Sequence, residues 1–186
     1  MSEPSPKAII ISGPNGAGKS TLAPFLLRDK FGIMEYVNED TLALGLSAFQ
    51  PEGVAFEAGR IMLKRLHDLA KQQASFAFES ILASRFYARW ISRLQQQGYT
   101  LHLLFLWLRN SDIAIERVRE RVRLGGHDIP DAVIRRRYHR GIWNFLNLYQ
   151  PLASTWVLYD NSAPGEPIFV AEGTREVIAK IHQPDL

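Results

Sequence analysis

Apolar residues in this chain fall into short runs that alternate with stretches of helical spacing. Lys7 to Ser12 (KAIIIS) is a β-branched run stopping at a glycine loop, which predicts a buried strand. A helix is expected over 19–28, with Pro24 early in it, and a second short strand over 35–38. From Phe56 to Gln73, Ile61, Leu63, Leu66 and Leu69 mark a helix. Phe76 to Phe78 reads as a third strand ending at Glu79, and 86–97 as a helix closed by Gly98. Leu101 to Leu108 is apolar almost throughout, the pattern of a strand buried on both faces. Ser111 is expected to cap a helix running to about Leu124. Gly125-Gly126 breaks it, and a long helix follows from near Pro130 to before Pro151. Short strands are expected at 156–159 and 168–171, and a last helix over 174–182. Strands alternating with helices predict an α/β fold, a mostly parallel sheet with helices on both faces. With 186 residues and no repeat or linker, the pattern predicts a single domain over 1–186.

The first strand leads into Gly13-Pro14-Asn15-Gly16-Ala17-Gly18-Lys19-Ser20, which fits G-x-x-x-x-G-K-[ST] completely and defines the P-loop NTPase fold. Glycines let backbone N–H groups turn inward around phosphates, and the helix beginning at Lys19 points its positive end at the same place. Lys19 is expected to reach the β- and γ-phosphates of ATP, Ser20 to ligate Mg²⁺, and Thr21 to donate to the α-phosphate. The same loop string occurs in ABC-type ATPases, but no LSGGQ-like signature and no apolar strand ending in Asp-Glu accompany it here. The NKxD of GTPases is also missing. A small-molecule kinase remains, and it needs a base, groups to hold an acceptor hydroxyl, and arginines.

Asn38-Glu39-Asp40 and Glu79 end strands that lie beside the loop in a parallel sheet. Asp40 is the candidate base, with a competing use as the N-cap of a helix starting at Thr41. Glu79, assisted by Ser80, is a candidate for substrate or Mg²⁺ contact, against a plain solvated strand end. Asp160-Asn161 reads equally as a turn or as an approach to the adenine. The four tryptophans read as packing residues.

Charge adds a lid. Residues 109–140 hold nine arginines against five acids, while the rest of the chain carries 13 basic and 14 acidic residues. In the helix over 111–124, Ala114, Val118 and Val122 form the buried stripe and Arg121 flanks it. Arg135 and Arg137 flank the stripe of the next helix and Arg136 faces away. This helix–hinge–helix over about 121–137 suits a phosphate clamp in which Arg121 and Arg136 act catalytically and His127, at the hinge, is a candidate substrate contact.

GPNGAGKST, VNED, FEAGR at 56–60, FES at 78–80 and RVRLGGHDIPDAVIRRRY at 121–138 together resemble the zeta-toxin family of P-loop kinases, in its compact bacterial branch. The resemblance covers nearly the whole chain. It implies ATP-dependent phosphorylation of a small-molecule hydroxyl, for the best-known members the 3′-hydroxyl of the sugar in UDP-N-acetylglucosamine. It also implies Lys19 as the phosphate lysine, Asp40 as base, Glu79 as a substrate-holding acid, and an antitoxin as a partner. Two departures stand out: Ile81 replaces the family's Thr, and His127 replaces its arginine.

No cysteine is present, which excludes disulfides, thiolate metal sites and a Cys nucleophile. No apolar run reaches membrane-spanning length and the N-terminal residues lack a signal-peptide core, so a cytoplasmic location is expected and no membrane partner. A nucleic-acid kinase or binder using the basic lid is a rival reading, as is a nucleotide-dependent partner-binding switch. The first is disfavoured because acids accompany the lid arginines and no aromatic strand face does.

Overall fold

β1 (Lys7–Ser12) is an inner strand of a seven-stranded sheet, and its isoleucines are buried on both faces. The computed structural model describes residues 4–24, 26–27, 32–47, 51–126 and 128–181, the side chains of 51 and 52 excepted. The further strands are β2 (Tyr36–Val37), β3 (Phe76–Ser80), β4 (Thr100–Trp107), β5 (Thr155–Asp160), β6 (Ile168–Gly173) and β7 (Ile178–Ile181). Their order is β2-β3-β1-β4-β5-β6-β7. β2 to β5 run parallel to β1, whereas β6 and β7 are antiparallel additions at one edge. β1 is followed by a jump to either side, to β3 and to β4, so the loop leaving it opens at a switch point of the sheet.

The helices are α1 (Lys19–Pro24), α2 (Glu39–Leu46), α3 (Ala55–Lys71), α4 (Phe86–Gln96), α5 (Ser111–Arg123) and α6 (Asp131–Asn144). The apolar stripes of α3 and α4, with the turn Phe145–Tyr149 that continues α6, cover one sheet face around Phe76, Phe78 and Phe105. α1, α5 and α6 cover the other around Ile9, Ile11 and Leu106. Removing these side chains from water is the main force holding helices to sheet.

Four local expectations need correction. Residues 178–181 form a strand where a helix was expected over 174–182; Thr174 N–H donates to Val177 O at 2.8 Å, and the chain turns back onto β6. His182 lies outside the described residues. Asn110, not Ser111, caps α5, its Oδ1 accepting from the N–H groups of Asp112 and Ile113. Asn38 caps α2 in the same way through Thr41 N–H, so Asp40 sits inside the first turn and is not the cap. Trp143 is 52% exposed rather than packed, with Arg85 over its ring at 5.3 Å. The other three tryptophans pack as expected.

Candidate functional site

The loop Gly13–Ser20 leaves β1 and enters α1 directly. Gly13 has φ +143°, and a methyl added there would lie 2.3 Å from Leu106 O on β4. Only glycine lets the loop turn this tightly over the sheet. Pro14 and Ala17 are buried, and Asn15 and Gly16 are half-buried. Lys19 Nζ donates to the carbonyls of Gly13 at 3.1 Å and Pro14 at 3.0 Å. Burial of this ammonium pushes its pKa down. Glu79 and Asp40 pull it back up, and Arg121 adds a smaller downward push. Two carboxylates and a guanidinium therefore share one electrostatic neighbourhood with the loop lysine.

Each of those groups arrives from a different element. Glu79 comes from the last turn of β3, whose register sets it opposite Ile11 of β1. Its Oε2 accepts from Ser20 Oγ at 3.1 Å, and its Oε1 accepts from the Tyr36 hydroxyl of β2. Asn38 Nδ2 donates to the Tyr36 hydroxyl at 3.2 Å and to Ser20 Oγ at 3.4 Å. Burial, followed by the bond to Glu79, pushes the Tyr36 phenol up, so it stays a donor. Asp40 comes from the first turn of α2, where the helix N-terminus favours a negative charge. Arg121 Nη1 approaches Asp40 Oδ2 to 4.0 Å. Beside Asp40, the Glu39 carboxyl is pushed up by burial and then by Asp40, and held down by Arg137 of α6.

The structure thus brings Lys19, Ser20, Asp40, Glu79 and Arg121 together. Thr21 is exposed one residue further along α1. The Ser80 hydroxyl oxygen accepts from Leu82 N–H at 3.0 Å and shapes the turn after β3. Arg136 is exposed, and no hydrogen bond or ion pair joins it to another described residue. Arg135 is held by Asp112 at 2.7 Å and Ser111 at 3.2 Å on α5. Of the three neighbouring arginines, Arg137 is the one whose charge bears on the Glu39 carboxyl. His127 lies outside the described residues. Sequence reasoning missed Tyr36, Asn38 as a cap, and Arg117, whose guanidinium touches the phosphate loop. Asn161 touches the same loop, through Ala17 O.

The residues fit a triphosphate. The glycine turn, the lysine and the buried Asn15 Oδ1, which has no partner among the described residues, are the features of an anion cradle. Among the described residues no group of three or more acids and histidines could hold a metal by itself. A Mg²⁺ would rest on Ser20 and on phosphate oxygens, the usual manner for this ion. No helix among the described residues is long and apolar enough to cross a membrane.

No family model matches the chain. An uncharacterized protein of Haemophilus influenzae is 29% identical over 132 residues, 71% of this chain and 92% of that protein. A chain of the AvrRxo1-ORF1:-ORF2 complex crystallised with ATP superposes with a TM-score of 0.67 at 19% identity, covering 91% of this chain. This chain spans only 59% of that one. A chain of the PezAT chromosomal toxin–antitoxin system of Streptococcus pneumoniae superposes with a TM-score of 0.68 at 16% identity, over 92% of this chain and 72% of that one. The chain therefore has the P-loop NTPase fold that its glycine loop implies, in the form shared with the AvrRxo1 complex and the PezAT toxin–antitoxin system.

Proposed function

We propose that the protein is an ATP-dependent kinase that moves the γ-phosphoryl group onto the hydroxyl of a small molecule. The observation that carries this reading is the convergence of Lys19, Glu79, Asp40 and Arg121 at the mouth of the phosphate loop. One carboxylate beside the loop is enough to support a nucleotide-bound Mg²⁺, and a second has to be accounted for, since carboxylates repel phosphate. A kinase uses one carboxylate to receive a proton and another to hold the acceptor.

ATP is the substrate that supplies the electrophilic phosphorus, and Mg²⁺, held at Ser20, would supply charge neutralisation. Asp40 receives the proton of the acceptor hydroxyl. The acceptor oxygen bonds to the γ-phosphorus, the bond to the β–γ bridging oxygen breaks, and ADP leaves. Lys19 and Arg121 offset the charge on the moving group. Glu79, fixed by Tyr36 and Ser20, holds a second hydroxyl or N–H of the acceptor. The zeta-toxin resemblance nominates a nucleotide sugar such as UDP-N-acetylglucosamine as the first acceptor to try. The toxin–antitoxin likeness nominates a protein partner, and a cytoplasmic location follows from those substrates. The domain reading is one kinase domain over 1–186 with a lid near 121–137, in which Arg136 and His127 take supporting roles.

The test is incubation with labelled ATP and a panel of nucleotide sugars and hydroxylated metabolites, read by mass spectrometry. A product heavier by one phosphoryl group, formed with ADP and lost in Asp40→Asn, is the expected result. ATP hydrolysis at the same rate with every acceptor, and no phosphorylated product, would sink the reading.

A further inference from the structure

Behind the phosphate loop the structure holds a second set of contacts that the transfer chemistry does not use. Asn161, just past the end of β5, donates from Nδ2 to Ala17 O at 2.9 Å. Arg117, on α5, donates from Nη1 to Gly16 O at 3.3 Å and from Nη2 to Ser162 O at 3.1 Å. The fit is close: a methyl added at Gly16 would lie 3.0 Å from Arg117 Cβ and 3.1 Å from Ala114 O. Asn161 is itself anchored, its N–H donating to Trp107 O at 2.9 Å. Asp160 before it is buried and takes bonds from Arg109 Nε at 3.1 Å and from Ser162 N–H at 2.8 Å.

These bonds have a directional consequence. The Ala17 carbonyl and the Gly18 N–H belong to one planar trans peptide and point opposite ways. Holding Ala17 O toward Asn161 turns Gly18 N–H away from it, which in a glycine cradle is the phosphate side. The carbonyls of Gly13 and Pro14 are occupied by Lys19, that of Gly16 by Arg117 and that of Ala17 by Asn161. With four carbonyls tied to cationic or amide donors, the loop presents N–H groups instead of oxygens to an anion.

We infer that Asn161 is a positioning residue for triphosphate binding, with Arg117 as its brace, so that the loop after β5 is a working part of the phosphate site. This rests on the ATP-binding reading above. Arg117 is suited to the brace because its planar guanidinium offers two nitrogens at a fixed separation, one to each carbonyl.

The experiment measures affinity for a fluorescent ATP analogue, and for ADP by competition, in wild type, Asn161→Asp, Asn161→Ser and Arg117→Lys, alongside melting temperature and steady-state kinetics. Asn161→Asp removes the donor at nearly constant shape. The expected result is at least a tenfold loss of ATP and ADP affinity, with KM for ATP raised tenfold and KM for the acceptor unchanged. Arg117→Lys should lose affinity less than Asn161→Asp. Asn161→Ser is the second variant should the aspartate fail to fold, and it should also bind at least fivefold more weakly. Folded Asn161 variants that keep wild-type affinity would overturn the inference, as would a lowered melting temperature with unchanged affinity. A wild-type protein that binds no ATP would instead overturn the kinase reading, and the two failures are therefore distinct.

Discussion

Arg121 reaches from α5 to within 4.0 Å of Asp40 on α2, so a cation and a carboxylate face each other at the opening of the phosphate loop. Their side chains are 41% and 76% exposed, and exposed pairs contribute only about 0–1 kcal/mol to stability. Arg121→Ala is therefore expected to shift the melting temperature by no more than about 4 °C. It is expected to lower kcat by about 10²–10³-fold, the usual cost of removing one preorganised charge from a transition state. Melting and steady-state kinetics on the same preparation check both halves. A large drop in melting with little change in kcat would make Arg121 a structural residue.

Tyr36 and Ser20 both donate to Glu79, one to each carboxylate oxygen. Tyr36→Phe leaves Oε1 without its donor in a half-buried place. Losing a hydrogen bond to a charged group costs about 1.5–3 kcal/mol, and the partial exposure of Glu79 puts the expectation at the lower end. Urea unfolding measures it. The same variant should raise KM for the acceptor more than KM for ATP, because Glu79 faces the acceptor side in the proposed mechanism.

Lys19 is held below its ordinary pKa chiefly by burial, so its charged form is less comfortable in the folded protein than in the unfolded chain. Below the folded pKa the lysine is charged in both states and the cost is fully present. The cost fades as pH rises through the lowered folded pKa toward the unfolded value of 10.5. Lys19→Met is thus expected to raise the melting temperature at pH 7 and to lose that advantage toward pH 10.5, while ATP binding disappears. A variant that melts lower than wild type at pH 7 would show that the lysine contributes more as a hydrogen-bond donor than it costs as a buried charge.

Asp160 has the opposite sign. Burial pushes its carboxyl up, but bonds from the Ser162 hydroxyl and N–H and from Arg109 outweigh that and hold it below 3.8. Its contribution is present above the unfolded value of 3.8 and is lost as pH falls through the lower folded pKa. Asp160→Asn should be less stable than wild type at pH 7, and the gap should narrow below about pH 4. Acid titrations of melting temperature on the two proteins would show it, and a gap that stays constant would reject it.

The parts of this protein that sequence revealed are those encoded contiguously. The phosphate loop needs eight adjacent residues, and the strand before it needs one apolar run. Arg121 was legible because its angle on α5 follows from helix geometry, and the structure places it at Asp40. Tyr36 was not, because its partner Glu79 is 43 residues away and the two meet only through the pairing of β2 with β3. Arg117 lies one turn before Arg121, and nothing in the spacing tells that the earlier arginine meets the Gly16 carbonyl of the loop and the later one Asp40. The segment after Thr174 was misread because Val177, Ile178 and Ile181 satisfy a loose helical spacing. Their β-branched side chains suit an edge strand better, and the hairpin onto β6 supplies the pairing.

One consequence concerns how the basic arms move. Arg119 meets Asp131 at 2.5 Å, Arg135 meets Asp112 at 2.7 Å, and the Tyr138 hydroxyl donates to Leu108 O at 2.7 Å. These fasten α6 to α5 and to the end of β4 at three places, and Arg117 bolts α5 to the loop it overhangs. The two ion pairs are exposed and hold weakly, so the Tyr138 bond and the shared apolar core are what keep these helices in place. Adjustment to a bound molecule falls to arginine side chains and to the short turn at Gly125 and Gly126, so capture should proceed by small, fast local rearrangements on a frame that is already built.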